Sequence, residues 1–180
     1  MHTLVLGGIR SGKSAYAERL LTGATRVSYL ATAVERPGDA EWAARLDAHR
    51  MRRPAGWRTR ECGEKPQLLP QLVGEAGAGE TLLVDDLGGW VTAVLDAAAW
   101  QGGVDTGELT AALRDSRGDV VLVSPEVGLT IVPDNAAARM FADALGTVNQ
   151  AVAEVCDRVA LVVAGQPLWI KSTRGSNLTP

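Results

Sequence analysis

The sequence predicts an α/β fold: a mainly parallel sheet with helices on both faces, opened by a phosphate-binding loop. Three observations predict it. Gly7-Gly8-Ile9-Arg10-Ser11-Gly12-Lys13-Ser14 fits the pattern G-x-x-x-x-G-K-[ST], between a strand-like and a helix-like segment. Apolar strand segments then alternate with helical ones along the chain, the pattern of a parallel sheet covered on both sides. Small or polar residues (Gly7, Thr32, Asp85, Ser124) close four of those strands, and sites in such sheets form at the strands' carboxyl ends.

Each element follows from its residues. Thr3–Leu6 is a short apolar strand, and Ala15–Leu21 a helix with Ala17, Leu20 and Leu21 turned inward. Arg26–Thr32 is a second strand. Glu41–Arg53 carries Trp42, Leu46 and His49 at helical spacing, and Trp57–Glu61 alternates as a short, half-exposed strand. Pro66–Gly74 is expected to be helical, with Leu68, Leu69 and Leu72 inward and Pro70 either in its first turn or breaking it. Thr81–Asp85 is a buried strand ending in a carboxylate, Trp90–Ala99 a helix, Gln101–Gly107 a glycine-rich loop and Glu108–Ser116 a further helix. Val120–Ser124 is a buried strand and Pro125–Asn135 a long loop. A long amphipathic helix then presents Phe141, Leu145, Val148, Val152 and Val155 on one face. Val159–Ala164 and Leu168–Lys171 complete the sheet. Residues 1–171 are expected to form one domain and 172–180 a loose tail.

Composition narrows the class. A chain of 180 residues with 46% apolar residues can bury a real core. The formal net charge of −3 disfavours a general nucleic-acid binder. The two cysteines, Cys62 and Cys156, fit no metal-ligand spacing and are expected to be packed, reduced thiols. No apolar run is long enough to span a membrane, and the N-terminus enters a strand without a leader-like segment, so a cytoplasmic location is expected.

The loop explains its own residue types. A polyphosphate is held by many backbone N–H groups, so the chain must wrap closely, and side chains at Gly7 and Gly12 would obstruct it. The following helix points the positive end of its dipole at the anion. Lys13 adds a charge that reaches the β- and γ-phosphates, and Ser14 offers a hydroxyl to Mg²⁺. Asp85 ends a core strand where a metal-holding acid is needed. Asp86 follows it, and since successive strand residues face opposite ways, only one of the two should point at the cation; Asp85 is favoured.

His49 is one of only two histidines. Arg45, Arg50, Arg52 and Arg53 flank it within about one helical turn, and Arg58 and Arg60 follow. A solvated basic face partnered by Glu41 and Asp47 would account for the pattern. So would a second phosphate-handling surface on which a neutral imidazole attacks phosphorus to give a phosphoramidate. Neighbouring arginines would keep that imidazole unprotonated and stabilise the transferred charge. Glu126 lies in the long loop at the active edge, either as a substrate contact or base or as a solvated acid.

Taken together, these motifs resemble the bifunctional adenosylcobinamide kinase / adenosylcobinamide-phosphate guanylyltransferase family of cobalamin biosynthesis, from about Thr3 to Lys171. The matching residues are the loop with its Arg10-Ser11, Tyr29-Leu30-Ala31-Thr32, Ala44-Arg45-Leu46 through His49-Arg50, Arg53-Pro54, Trp57-Arg58-Thr59, Glu126-Val127-Gly128, Ile131-Val132-Pro133 and, in the late helix, Arg139 to Gln150. The resemblance implies a RecA-like phosphate-loop fold and two reactions. A nucleoside triphosphate phosphorylates the aminopropanol hydroxyl of adenosylcobinamide. GTP then gives GMP to a histidine, aligned with His49, and the GMP passes to adenosylcobinamide phosphate. It also places Thr32, Ala33, Val34, Arg50, Met51, Arg52, Arg53, Glu61 and Asp85 at nucleotide contacts, and implies a homo-oligomer, typically a trimer. Mg²⁺, GTP and ATP, and a corrinoid are the expected ligands. Pro125, Thr130, Asp86, Gly88-Gly89 and Ala93 depart from the family's usual residues and lie chiefly toward the acceptor side. A phosphate-loop kinase of another small molecule explains Lys13, Ser14 and Asp85 but gives no role to His49. A nucleotide-switched binding module predicts no covalent adduct.

Overall fold

The computed structural model describes residues 1–34, 38, 44, 47, 50, 51, 53–129 and 131–172. Among these, seven strands form one sheet: β1 (His2–Gly7), β2 (Val27–Ala31), β3 (Arg58–Glu61), β4 (Thr81–Asp85), β5 (Asp119–Pro125), β6 (Arg158–Val163) and β7 (Gln166–Lys171). Their order is β3-β2-β4-β5-β1-β6-β7, all parallel except β7. The first six strands therefore end on one edge, with Leu6 paired to Ser124, Gly7 to Pro125 and Ala31 to Asp85.

The period of two along each strand splits the core into two layers. Val5, Tyr29, Ala31, Leu83, Val121, Val123 and Ala160 pack on helix α1 (Lys13–Leu20). Leu4, Leu30, Leu82, Val84, Val120 and Leu122 face the other way. They meet α2 (Leu68–Glu75), α3 (Leu87–Ala97), α4 (Gly107–Asp115) and α5 (Ala136–Val155). The central strands are buried on both faces, which is why they read as unbroken apolar runs.

Several boundaries differ from the sequence reading. Helix α1 begins two residues earlier, at Lys13, directly from the phosphate loop, and Tyr16 is buried beside Ala17 while Leu20 is only partly so. Helix α3 begins at Leu87, three residues before the expected start. Asp86 caps it by accepting a 2.8 Å hydrogen bond from Gly89 N–H, so Gly88 and Gly89 belong to its first turn despite their low helix propensity. The close fit explains the glycines: a Cβ on Gly89 would stand 2.7 Å from Thr32 Oγ1, and one on Gly88 3.0 Å from Pro125 Cγ. At the far end, Ala164 and Gly165 adopt positive φ (50° and 77°), joining β6 to β7 as a tight hairpin. Strand β3 is fully exposed, where half-exposure was expected. Ala44, Asp47, Arg50 and Met51, within the expected helix 41–53, are helical; the tail from 173 lies outside the described residues.

Both cysteines are buried free thiols. Burial, reinforced by Glu61, pushes Cys62 up to about 11, and burial pushes Cys156 up to about 12. A raised thiol pKa leaves few thiolates at pH 8, on the order of one in a thousand or fewer. We expect alkylation of the native protein to be very slow at pH 8 and to accelerate about tenfold per pH unit through pH 10. The unfolded chain should react fast and level off near pH 9. A native-state alkylation series with mass readout checks this; a thiol that levels off near pH 8.5 in the folded protein would contradict its burial.

Candidate active site

Strand β1 delivers the phosphate loop. Its tight course needs Arg10 at φ 55° and Gly12 at φ 90°, and the left-handed region favours glycine at the second. Ser11 N–H donates to Gly8 O (3.2 Å), and Ser11 O accepts from Gly165 N–H (2.7 Å). The glycines have a different reason from the one the sequence suggested. A Cβ on Gly7 would lie 2.8 Å from Val162 O, and one on Gly12 would lie 3.1 Å from Gly165 Cα. They are small because the loop lies against the end of β6 and the turn that follows it. Gly12, the N-cap of α1, has no side chain with which to cap it, leaving the helix start to an anionic ligand.

Helix α1 places Ser14 against the end of β4. Ser14 Oγ lies 3.3 Å from Asp85 Oδ1, while Asp85 Oδ2 accepts a 2.6 Å hydrogen bond from the Tyr29 hydroxyl. Burial, reinforced by the Asp85 charge and hydrogen bond, drives the Tyr29 phenol above its ordinary pKa, so it stays a donor. Both acids line the cavity, but Asp86 Oδ1 caps α3, and of the two it is Asp85 that meets Ser14. A hydroxyl and a carboxylate facing each other are hard oxygen donors and suit a magnesium ion completed by phosphate oxygens and water.

These groups open on a cavity of about 1190 Å³. Ile9–Ser14 form one wall, with Tyr29 and Asp85 at its base. Ala33, Val34, Glu61, Arg50 and Arg53 border it from the β2 and β3 side. The Arg53 guanidinium stacks 3.7 Å from the Tyr29 ring centroid and approaches Thr59 Oγ1 at 3.4 Å. Its Nε is buried with no hydrogen-bond partner among the described residues, a donor suited to a ligand oxygen. Arg50 pairs with Asp47 at 3.4 Å.

Other expected site residues take different places. Thr32 is buried, its hydroxyl donating to Asp86 O at 2.6 Å, so it ties the ends of β2 and β4 together. Met51 is exposed and outside the cavity lining. Glu126 accepts from Gly128 N–H at 2.6 Å, within its own loop. Ser124 is buried and donates to Asn149 Oδ1. His49, Arg45, Arg52 and Thr130 lie outside the described residues. The sequence reading gave no individual role to Lys65, Thr92 or Asp96, which line the cavity, and assigned Phe141 to the core although it lines the cavity too. Helical spacing alone does not separate a core position from a cavity wall.

A family model described as cobinamide kinase / cobinamide phosphate guanyltransferase matches residues 3–170. The chain belongs to this family. It is 44% identical over 175 residues to a Pseudomonas aeruginosa protein named bifunctional adenosylcobalamin biosynthesis protein CobP, covering 95% of this chain and 98% of the relative. It is 39% identical over 185 residues to CobU of Salmonella typhimurium, which carries the same description, covering 95% of this chain and 100% of that one. Among solved structures, a type III secretion system ATPase aligns with TM-score 0.54 at 12% identity, over 89% of this chain and 51% of its own. That likeness concerns the fold, a RecA-like phosphate-loop sheet, of which the chain spans about half the solved protein's length.

Lys13 Nζ sits 3.5 Å from Gly8 O, within the loop it serves. Replacing Lys13 by Ala removes one of the cations that line the cavity beside the loop. We expect nucleotide-dependent turnover to fall on the order of 100- to 1000-fold, the scale seen when a charge-stabilising donor is lost. Steady-state assay of both phosphoryl and nucleotidyl transfer checks this, and unaltered rates in either would separate that reaction from the loop.

Proposed function

We propose that this protein phosphorylates the aminopropanol hydroxyl of adenosylcobinamide with ATP or GTP and then transfers GMP from GTP to the product, through a covalent adduct on His49. The observation that carries this reading is one cavity bordered by two groups of residues suited to phosphate, in a member of this family. One is the loop Ile9–Ser14 with Asp85. The other is Arg50 with Arg53, on the segment that contains His49.

In the first reaction the acceptor oxygen attacks the γ-phosphorus, its proton departs and the nucleoside diphosphate leaves. The loop N–H groups and Lys13 hold the charge that develops, and Ser14 and Asp85 would hold Mg²⁺, which when bound neutralises the β- and γ-oxygens. In the second, an imidazole nitrogen of His49 attacks the α-phosphorus of GTP and pyrophosphate leaves. The acceptor's phosphate oxygen then attacks the same phosphorus, the P–N bond breaks and the histidine is restored. The buried Arg53 Nε, which has no partner among the described residues, supports a phosphate oxygen on this side of the cavity. Ala33, Val34 and Glu61 are proposed nucleotide contacts from the same wall, with Thr32 and Arg52 carried by resemblance alone.

The decisive test uses GTP labelled on its α-phosphate with Mg²⁺ and no acceptor, followed by denaturation. We expect label retained on the protein, acid-labile and base-stable, and absent from His49→Ala, which keeps measurable kinase activity. No retained label with GTP bound would leave only a phosphate-loop kinase or nucleotide switch, and normal nucleotidyl transfer by His49→Ala would remove His49 as the nucleophile.

The expected trimer is also carried by resemblance. It is supported by the edge strand β7, which leaves Leu168 60% and Ile170 50% exposed on an unpaired margin of the sheet. Multi-angle light scattering should return three times the chain mass; a monomer mass would refute it.

A further inference from the structure

Strand β2 is apolar from Tyr29 to Ala31, yet a phenol stands in it, 2% exposed. A phenylalanine would fill the same space, so the hydroxyl is there for something other than packing. It spans to the neighbouring strand. Tyr29 and Ala31 share one face of β2, Leu83 and Asp85 are their partners on β4, and the phenol reaches forward to Asp85 Oδ2 at 2.6 Å. The other oxygen, Oδ1, faces Ser14 Oγ at 3.3 Å.

We propose that Tyr29 is a positioning residue for the metal-binding carboxylate: its hydroxyl holds one oxygen of Asp85 so that the other faces Ser14 and the cation. A carboxylate at a strand end can rotate about its last bond. Holding one oxygen with a fixed donor sets the plane of the group and leaves the second oxygen aimed. The Tyr29 ring is itself fixed, packed in the α1 layer and covered by the Arg53 guanidinium 3.7 Å from its centroid. Partners of this kind behind a ligating group typically change metal affinity or activity about 10- to 100-fold when removed.

The inference rests on Asp85 being the metal carboxylate, and the test separates the two. A fluorescent GTP analogue is titrated onto the full chain without Mg²⁺ and then at rising Mg²⁺. In Tyr29→Phe we expect the Mg²⁺ concentration for half-maximal tightening to rise about 10- to 100-fold, while affinity in the absence of the metal stays within about twofold. In Asp85→Asn the midpoint should rise at least as far, and adding Tyr29→Phe to it should move the midpoint no further. An unmoved midpoint in Tyr29→Phe overturns the proposal. So does an equal loss of metal-free affinity, which would make Tyr29 a packing residue only, or an additive shift in the double variant, which would mean it does not act through Asp85. If Asp85→Asn itself leaves the midpoint unmoved, the carboxylate reading falls and takes this proposal with it. If Asp85→Asn moves it and Tyr29→Phe does not, only the positioning role is lost.

Discussion

The constraint on which the rest of the site depends is the seating of the phosphate loop on the end of β6 and the turn that follows it. The carbonyl of Val162 and the Cα of Gly165 leave no room for a side chain at Gly7 or Gly12. The Gly165 N–H fastens the loop through Ser11 O. From this seat α1 begins at Lys13, and Ser14 arrives opposite Asp85 beside the cavity. The parallel ladder does the rest, since β4 and β5 must end level with β1.

A second set of ties closes the same edge. Thr32 bonds to Asp86 O, Ser124 to Asn149, and Asn149 Nδ2 to Pro125 O at 3.0 Å. Buried polar groups of this kind are costly unless paired, and all of these are paired to backbone or side chain next to the cavity. The rim is thus held by polar contacts over an apolar interior. A site that must present charge in register, without collapsing when no anion is bound, needs such a rim.

Much of this was legible in the sequence because the signals were local. Leu82–Val84 and Val120–Val123 are apolar without interruption, which is what a strand buried on both faces looks like, and the glycine loop has a fixed spacing. Strand alternation suggested that only one of Asp85 and Asp86 faces the site; in the structure Asp85 meets Ser14 and Asp86 caps a helix, although both line the cavity. The misreadings share a cause. Gly88 and Gly89 looked like a break, but Asp86 and the tight fit to Thr32 and Pro125 draw them into a helix. Tyr29 was given no individual role, because its hydrogen bond joins positions 56 residues apart. Ala164 is not a residue that announces a left-handed turn, so the reversal of β7 went unread. Tertiary contact decided each of these.

The hairpin turn has a consequence in time as well as in space. Residues 7–14 are made early, but the surfaces that shape them, β5, β6 and Gly165, come from the last third of the chain. Strand β1 has no neighbour in the sheet until β5 and β6 exist. During synthesis, which runs N-terminus first, the nascent chain therefore carries its nucleotide-binding signature long before that signature has a form. The loop acquires its seat only once β6 and Gly165 have been made.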